Sequence, residues 1–450
     1  MALHRPTVVV RSLSTETCSG EAAGVRIRML PHLSKLTLGN IVVRLLTRYM
    51  AFIGLLANAA IAVFLLYWVT GKVSDSEYFR IARRAFLGPL DGVEVMPIDP
   101  VAPGTINPRL KSLPIGVWLK IHQQIGDGPD DFPRQAHGGA AYDPVRGRLM
   151  LFGSDTHSAN WDNTVRFFDM ASLTWSSAYP ADGPETYRVN ADGIPVAGVD
   201  VEHPWAMHAF DAVEFDPLSD QLVVASHPGH MNPGKPWGVA RKLWQQIKSH
   251  PTWAFRVGEN KWRPLVSNGI SFFPYGLTFD NQRRVLIGVK PGSYWEFDID
   301  NLRWAKVAEG GPKAWHNAAA FDADHGIVVS FGTNDQSDDV WQYRVGETKG
   351  KVMSTPGLRP PGADSVPLAY HPGIGSIVAL VEKKEDSGRG STETWLYSVA
   401  ADTWQHLNTA TIPFAIGMNY DMVYDSNHEL LTLVANFRDE PTAVWVLRLQ

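Results

Sequence analysis

The side chains with the most chemical potential in this chain are histidines in two segments between its apolar runs. His203 and His208 end Glu202-His203-Pro204-Trp205-Ala206-Met207-His208, and His227 and His230 open His227-Pro228-Gly229-His230-Met231-Asn232. His137, three residues after Arg134, stands before a third apolar run, and Asp211 and Asp421 stand at the starts of two others, Asp421 just after Asn419. Imidazole titrates near neutral pH and binds borderline metal ions, so with carboxylates it suits either zinc or general acid/base chemistry. In an acid/base site Arg134 would hold an anionic group, His137 or His208 would move the proton, and Asp211 or Asp421 would orient it. His203, His227 and His230 are the metal candidates. H-P-G-H has no defined ligand spacing, so ligands would have to come from separate loops; the plainer alternative is that these histidines cap strand ends and bond loop carbonyls. Asp155 with Asp162, and Asp335 with Asp338 and Asp339, could offer oxygens to calcium, but neither group follows an EF-hand pattern and both read as turns.

The elements that must position these groups are short β-runs. Tryptophans pair as W-x8-W at Trp253/Trp262, Trp295/Trp304 and Trp395/Trp404, and Trp175 closes a similar segment. Ahead of each comes a strand ending in Tyr142-Asp143, Phe215-Asp216, Phe279-Asp280, Phe321-Asp322, Tyr370-His371 or Tyr424-Asp425, then a polar turn and a second apolar strand. A period of roughly 40 to 70 residues built of four short strands is a propeller signature. In the fourth unit Gly350 stands where the second Trp is expected, with Val352 the nearest apolar substitute.

His137-Gly138-Gly139-Ala140-Ala141-Tyr142-Asp143-Pro144, Leu149-Met150-Leu151-Phe152-Gly153 and Trp175 together resemble a Kelch repeat of the galactose-oxidase type. The resemblance covers roughly residues 114 to 450 and implies an all-β, six-bladed Kelch-like β-propeller, with seven blades as the alternative if residues 181 to 207 form a degenerate blade. The family's paired glycines are present only in part. Kelch propellers include oxidases, epimerases and non-catalytic binding modules, so the fold does not choose a function. The last unit stops at Gln450 without an outer strand, and Pro114 to Ile121 reads as a strand without partners of its own. Pairing the two would close the ring and remove an open edge. Because strands in a unit alternate in direction, the loops from second to third strand and from one unit to the next open on the same face. The insertions 176–207 and 227–251 both do so, which makes that face the candidate binding surface. Val239 to Ser249 has helical composition.

The domain organisation expected is a basic cytoplasmic tail over 1–49, a transmembrane anchor over 50–69, a juxtamembrane helix and Pro-rich linker over 70–113, and the propeller over 114–450. The anchor is an uncharged apolar run long enough for a bilayer core of about 30 Å. Arg5, Arg11, Arg26, Arg28, Lys35, Arg44 and Arg48 precede it against Glu16 and Glu21, which favours a cytoplasmic N-terminus, a single-pass inner-membrane location and a periplasmic or extracellular propeller. The single cysteine, Cys18, lies before the anchor, so the propeller has no disulfide, no thiolate metal site and no cysteine-tyrosine copper cofactor. A net charge of -5 gives no case for nucleic-acid binding, and no nucleotide-binding fingerprint is present. The expected function is a membrane-anchored propeller that binds a partner protein or glycan through its loop-rich face. The alternatives are a periplasmic enzyme acting on a sugar or sugar acid as hydrolase, lyase or epimerase, and an accessory subunit of a membrane complex.

Overall fold

Near-continuous apolar runs such as Ile327–Phe331 and Leu430–Ala435 bury both faces of the inner strands, and the sheets stack on both, whereas fourth strands such as Thr174–Ser177 are largely exposed. The computed structural model describes residues 49–50, 92–124, 137–158, 161–273, 276–383, 390–418, 420–435 and 441–450. Contacts divide the chain into Met1–Ser74 and Asp75–Gln450, and every strand among the described residues belongs to the second unit. Among the described residues there are six four-stranded antiparallel sheets and one three-stranded sheet. The first sheet is Gly139–Asp143, Arg148–Phe152, Arg166–Asp169 and Thr174–Ser177. The second to fifth sheets begin with Val213–Asp216, Leu277–Asp280, Ala318–Asp322 and Leu368–His371. The sixth joins Tyr420–Asp425, Leu430–Ala435 and Ala443–Arg448 to Trp118–Gln123, which pairs antiparallel with Ala443–Arg448 although over 300 residues separate them.

Leu149 and Leu151 pack toward the sixth sheet, whereas Met150 and Phe152 pack toward the second, as period-two alternation requires. The same division recurs around the molecule, with successive clusters joining second to third, third to fourth, fourth to fifth and fifth to sixth sheets. The six first strands touch their neighbours in a closed cycle and line a central cavity of 390 Å³. This all-β arrangement is compatible with a β-propeller.

The repeated sequence signals have local causes. Asp143 Oδ1 accepts from the amides of Val145 and Arg146 at 3.0 and 3.1 Å, and Asp280, Asp322 and Asp425 do the same two and three residues on. An aspartate that closes its own turn fixes the hairpin. In the fifth sheet His371 stands where the others have the aspartate, and a 3-10 turn over Pro372–Ile374 replaces the carboxylate-bonded turn. The second Trp of each pair lies across from an aromatic of the preceding strand: Phe168/Trp175, Phe255/Trp262, Phe297/Trp304 and Tyr397/Trp404 have ring centroids 4.9 to 5.3 Å apart. Val352 pairs with Trp341 in the fourth sheet.

Several expectations need revision. Residues 92–113, read as a spacer, are tied to the sheets: Ile98, Leu110 and Leu113 are buried, and Met96 N and Val101 N donate to Lys120 O and Ala171 O. The insertion 176–207 contains the three-stranded sheet Arg188–Val189, Pro195–Ala197 and His203–Pro204. The helix expected over 239–249 is one turn, Arg241–Trp244, after which the amides of Lys248 and Ser249 turn to Gly193 O. No helix among the described residues is long and apolar enough to cross a membrane, and residues 51–69 of the expected span lie outside them.

Candidate functional site

Three segments meet where the first sheet passes to the second. Ala209 N and Phe210 N donate to His137 O at 2.9 and 3.1 Å, and Ser154 N donates to Met207 O at 2.9 Å. The approach is close enough to require glycine: a Cβ on Gly139 would lie 1.6 Å from Phe210 O, and one on Gly153, at φ 106°, would lie 2.8 Å from Ala209 Cβ. His137, at φ 63°, and the Asp155-Thr156-His157 turn are thereby held against His208. His316, the equivalent residue of the fourth sheet, has φ 66° and bonds Asp364 through Nδ1 at 2.7 Å, so the left-handed backbone recurs there with a carboxylate as partner.

The result is a cluster of four imidazoles. His137 Nδ1 faces His208 Nδ1 at 3.4 Å, and His208 Nε2 meets Thr156 Oγ1 at 3.1 Å. His157 Nε2 meets His230 Nδ1 at 2.9 Å, while its Nδ1 lies 3.4 Å from Asp155 Oδ1. The His208 ring lies 4.5 Å from those of His137 and His157 and stacks on His230 at 4.2 Å. Phe210 stacks on His137, Phe273 packs on His208 and His230, and Trp237 meets the edge of His157. His208 is 2 % exposed, whereas the His157 side chain is 36 % exposed and gives the cluster an open side.

Burial, reinforced by His137, His230 and His157, lowers the His208 pKa to about 2. Burial and then His157 lower that of His230 as well. Both rings are neutral at neutral pH and keep a lone pair. His137, Asp155, His157 and His208 can each present one ligand atom with all four atoms within 4.8 Å of one another. The arrangement can therefore offer lone pairs to a cation.

A second group faces the central cavity. Burial raises the Asp211 pKa well above the usual carboxylate range, with Glu214 and Asp421 adding repulsion, and burial raises Glu214 to about 8. Asp211 thus feels the charge of both Glu214 and Asp421.

Of the acid/base candidates, His137 and His208 come together, Asp211 lines the cavity with Asp421 near enough to repel it, and Arg134 lies outside the described residues. The three proposed metal ligands do not form one site. His203 bonds Asp182 at 2.7 Å and stacks on Tyr179, because it is a strand residue of the small sheet, and His227 stacks on His250 beside Pro228 and Pro251. Only His230 joins the cluster. His157 was not among the sequence candidates, and Asp155 was read only as an oxygen donor to calcium or as part of a turn, although their turn joins a second to a third strand and therefore opens on the face already singled out.

The chain matches no family model and no curated protein sequence.

Proposed function

We propose that the chain is a six-bladed Kelch-like propeller, tethered to a membrane through residues 50–69, that works as an enzyme on a sugar or sugar acid at the histidine cluster. The observation that carries this reading is the convergence of four imidazoles from four loops, two of them held neutral by burial. Imidazoles that burial keeps from protonating are poor proton acceptors at neutral pH, but they keep lone pairs that can hold a Lewis acid, which a reactive centre uses and a docking surface does not need. Hydrolysis, elimination beside a carboxylate and epimerisation all need such a group, and Trp237 and Phe273 flank it with the apolar faces that sugar rings pack against. Arg134 is the proposed holder of a substrate carboxylate.

Incubating the purified full-length chain with neutral and uronate-containing oligosaccharides and following new reducing ends, unsaturated products and inverted centres tests this reading. Turnover that His157→Ala abolishes while the fold is retained supports it. Saturable binding of an oligosaccharide without turnover would contradict it and return the chain to the glycan-binding class.

A further inference from the structure

We propose that His137, His157 and His208, with Asp155, form a binding site for one divalent transition-metal ion of the zinc type. This deepens the reading of the same cluster as a reactive centre, and it stands on the ligand geometry. The His137 Nδ1 to His208 Nδ1 separation of 3.4 Å is longer than an ordinary N–H···N hydrogen bond. It equals the spacing of two nitrogens held about 2.0–2.1 Å from a tetrahedral ion, which is about 3.3–3.4 Å. The His157 Nδ1 to Asp155 Oδ1 separation is also 3.4 Å.

The surrounding bonds prepare the rings for coordination. With its proton on Nε2, His208 donates to Thr156 Oγ1 and keeps the Nδ1 lone pair toward His137. His157 is oriented in the same way by His230 through Nε2. A ligating imidazole whose other nitrogen is bonded has its tautomer and ring angle fixed in advance. Phe210 and Phe273 close the inner side, and the exposed edge at His157 leaves an approach for the ion and for water. Three imidazoles and one carboxylate select zinc, cobalt, nickel or copper over magnesium and calcium, which prefer all-oxygen cages. A bound ion would supply a polarising centre for a water or a sugar oxygen, and His230 remains outside the ligand set beside it.

The test uses the full-length chain, stripped with chelator and titrated with zinc alone, then with cobalt(II). About one zinc per chain, a tetrahedral cobalt spectrum, and zinc retained against an excess of magnesium or calcium are expected. His137→Ala and His157→Ala should each weaken zinc by more than about 100-fold, and Thr156→Val by roughly 10- to 100-fold. His203→Ala and His316→Ala should leave affinity unchanged, and circular dichroism should show every variant folded. Substoichiometric zinc, or wild-type affinity in both His137→Ala and His157→Ala, would overturn the assignment. A chain that binds one zinc but turns over no saccharide keeps this assignment and removes the enzymatic reading. Turnover by the stripped chain that zinc leaves unchanged, together with no zinc uptake, does the reverse.

Discussion

Trp118→Ala probes whether the strand Trp118–Gln123 is an integral part of the sixth sheet. Trp118 lies across from Leu447, is 5 % exposed and joins the cluster of Trp445, Leu433 and Phe414. Its indole N–H donates to Thr394 Oγ1 at 2.9 Å, so the same side chain also links the sixth sheet to the fifth. Burying about 200 Å² of aromatic surface is worth about 5 kcal/mol at about 25 cal/mol/Å². The alanine retains a part of this, the lost hydrogen bond adds about 1 kcal/mol, and the net loss should be about 4 kcal/mol. With an unfolding entropy of about 2.1 cal/mol/K per residue over roughly 330 residues, Tm should fall by about 6 °C. Guanidinium unfolding of the full-length chain, followed by far-UV circular dichroism, measures the change directly. Val117→Ala is the control, because Val117 is 39 % exposed and should cost under about 0.5 kcal/mol. A Trp118→Ala loss below about 1 kcal/mol, indistinguishable from the control, would refute the closing role of this strand.

Three further outcomes are expected. Asp425 is fully buried and accepts from the amides of Asn427 and His428 and from His428 Nδ1 at 2.6 Å, while His428 Nε2 accepts from Asn107 N; Asp425→Ala should cost about 3 kcal/mol or more in equilibrium unfolding, and Asp425→Asn less. Glu214, raised from 4.5 to about 8, binds its proton more tightly in the folded state, so its contribution to stability is complete below about pH 4.5 and lost as pH rises through about 8. Glu214→Gln should therefore gain Tm relative to wild type between pH 5 and pH 9, and a constant difference across that range would contradict the burial of this carboxyl. Removal of residues 1–74 should release the chain from the membrane fraction with the circular dichroism of the sheets intact, as checked by cell fractionation and spectroscopy.

The strands and turns were legible in the sequence because each is specified locally. Asp143, Asp280, Asp322 and Asp425 bond amides two and three residues away, and the Trp partners lie directly across a hairpin. The pairing of Trp118–Gln123 with the last strand was legible for another reason, since an open edge in one unit and an unpaired strand before the first leave few arrangements. The site was half legible. His137, His208 and His230 could be placed on one face by strand direction, but which rings touch depends on the close approach at Gly139 and Gly153. His157 sits in a 3-10 turn, Thr156–Ser158, with ordinary turn composition, and only the loop-face rule applied to the first sheet would have selected it. His203 and His227 share that face, yet the small three-stranded sheet holds the first and stacking on His250 holds the second, and nothing in their flanking residues announces this.

The most direct measurement of the central claim is a zinc-edge anomalous difference map from crystals of the zinc-loaded full-length chain. A single peak within about 2.0–2.2 Å of ligand atoms of His137, His157 and His208, with Asp155 or a water completing the shell, is the expected result. A map without a peak there, with His137 and His208 still facing one another in zinc-containing crystals, would contradict it.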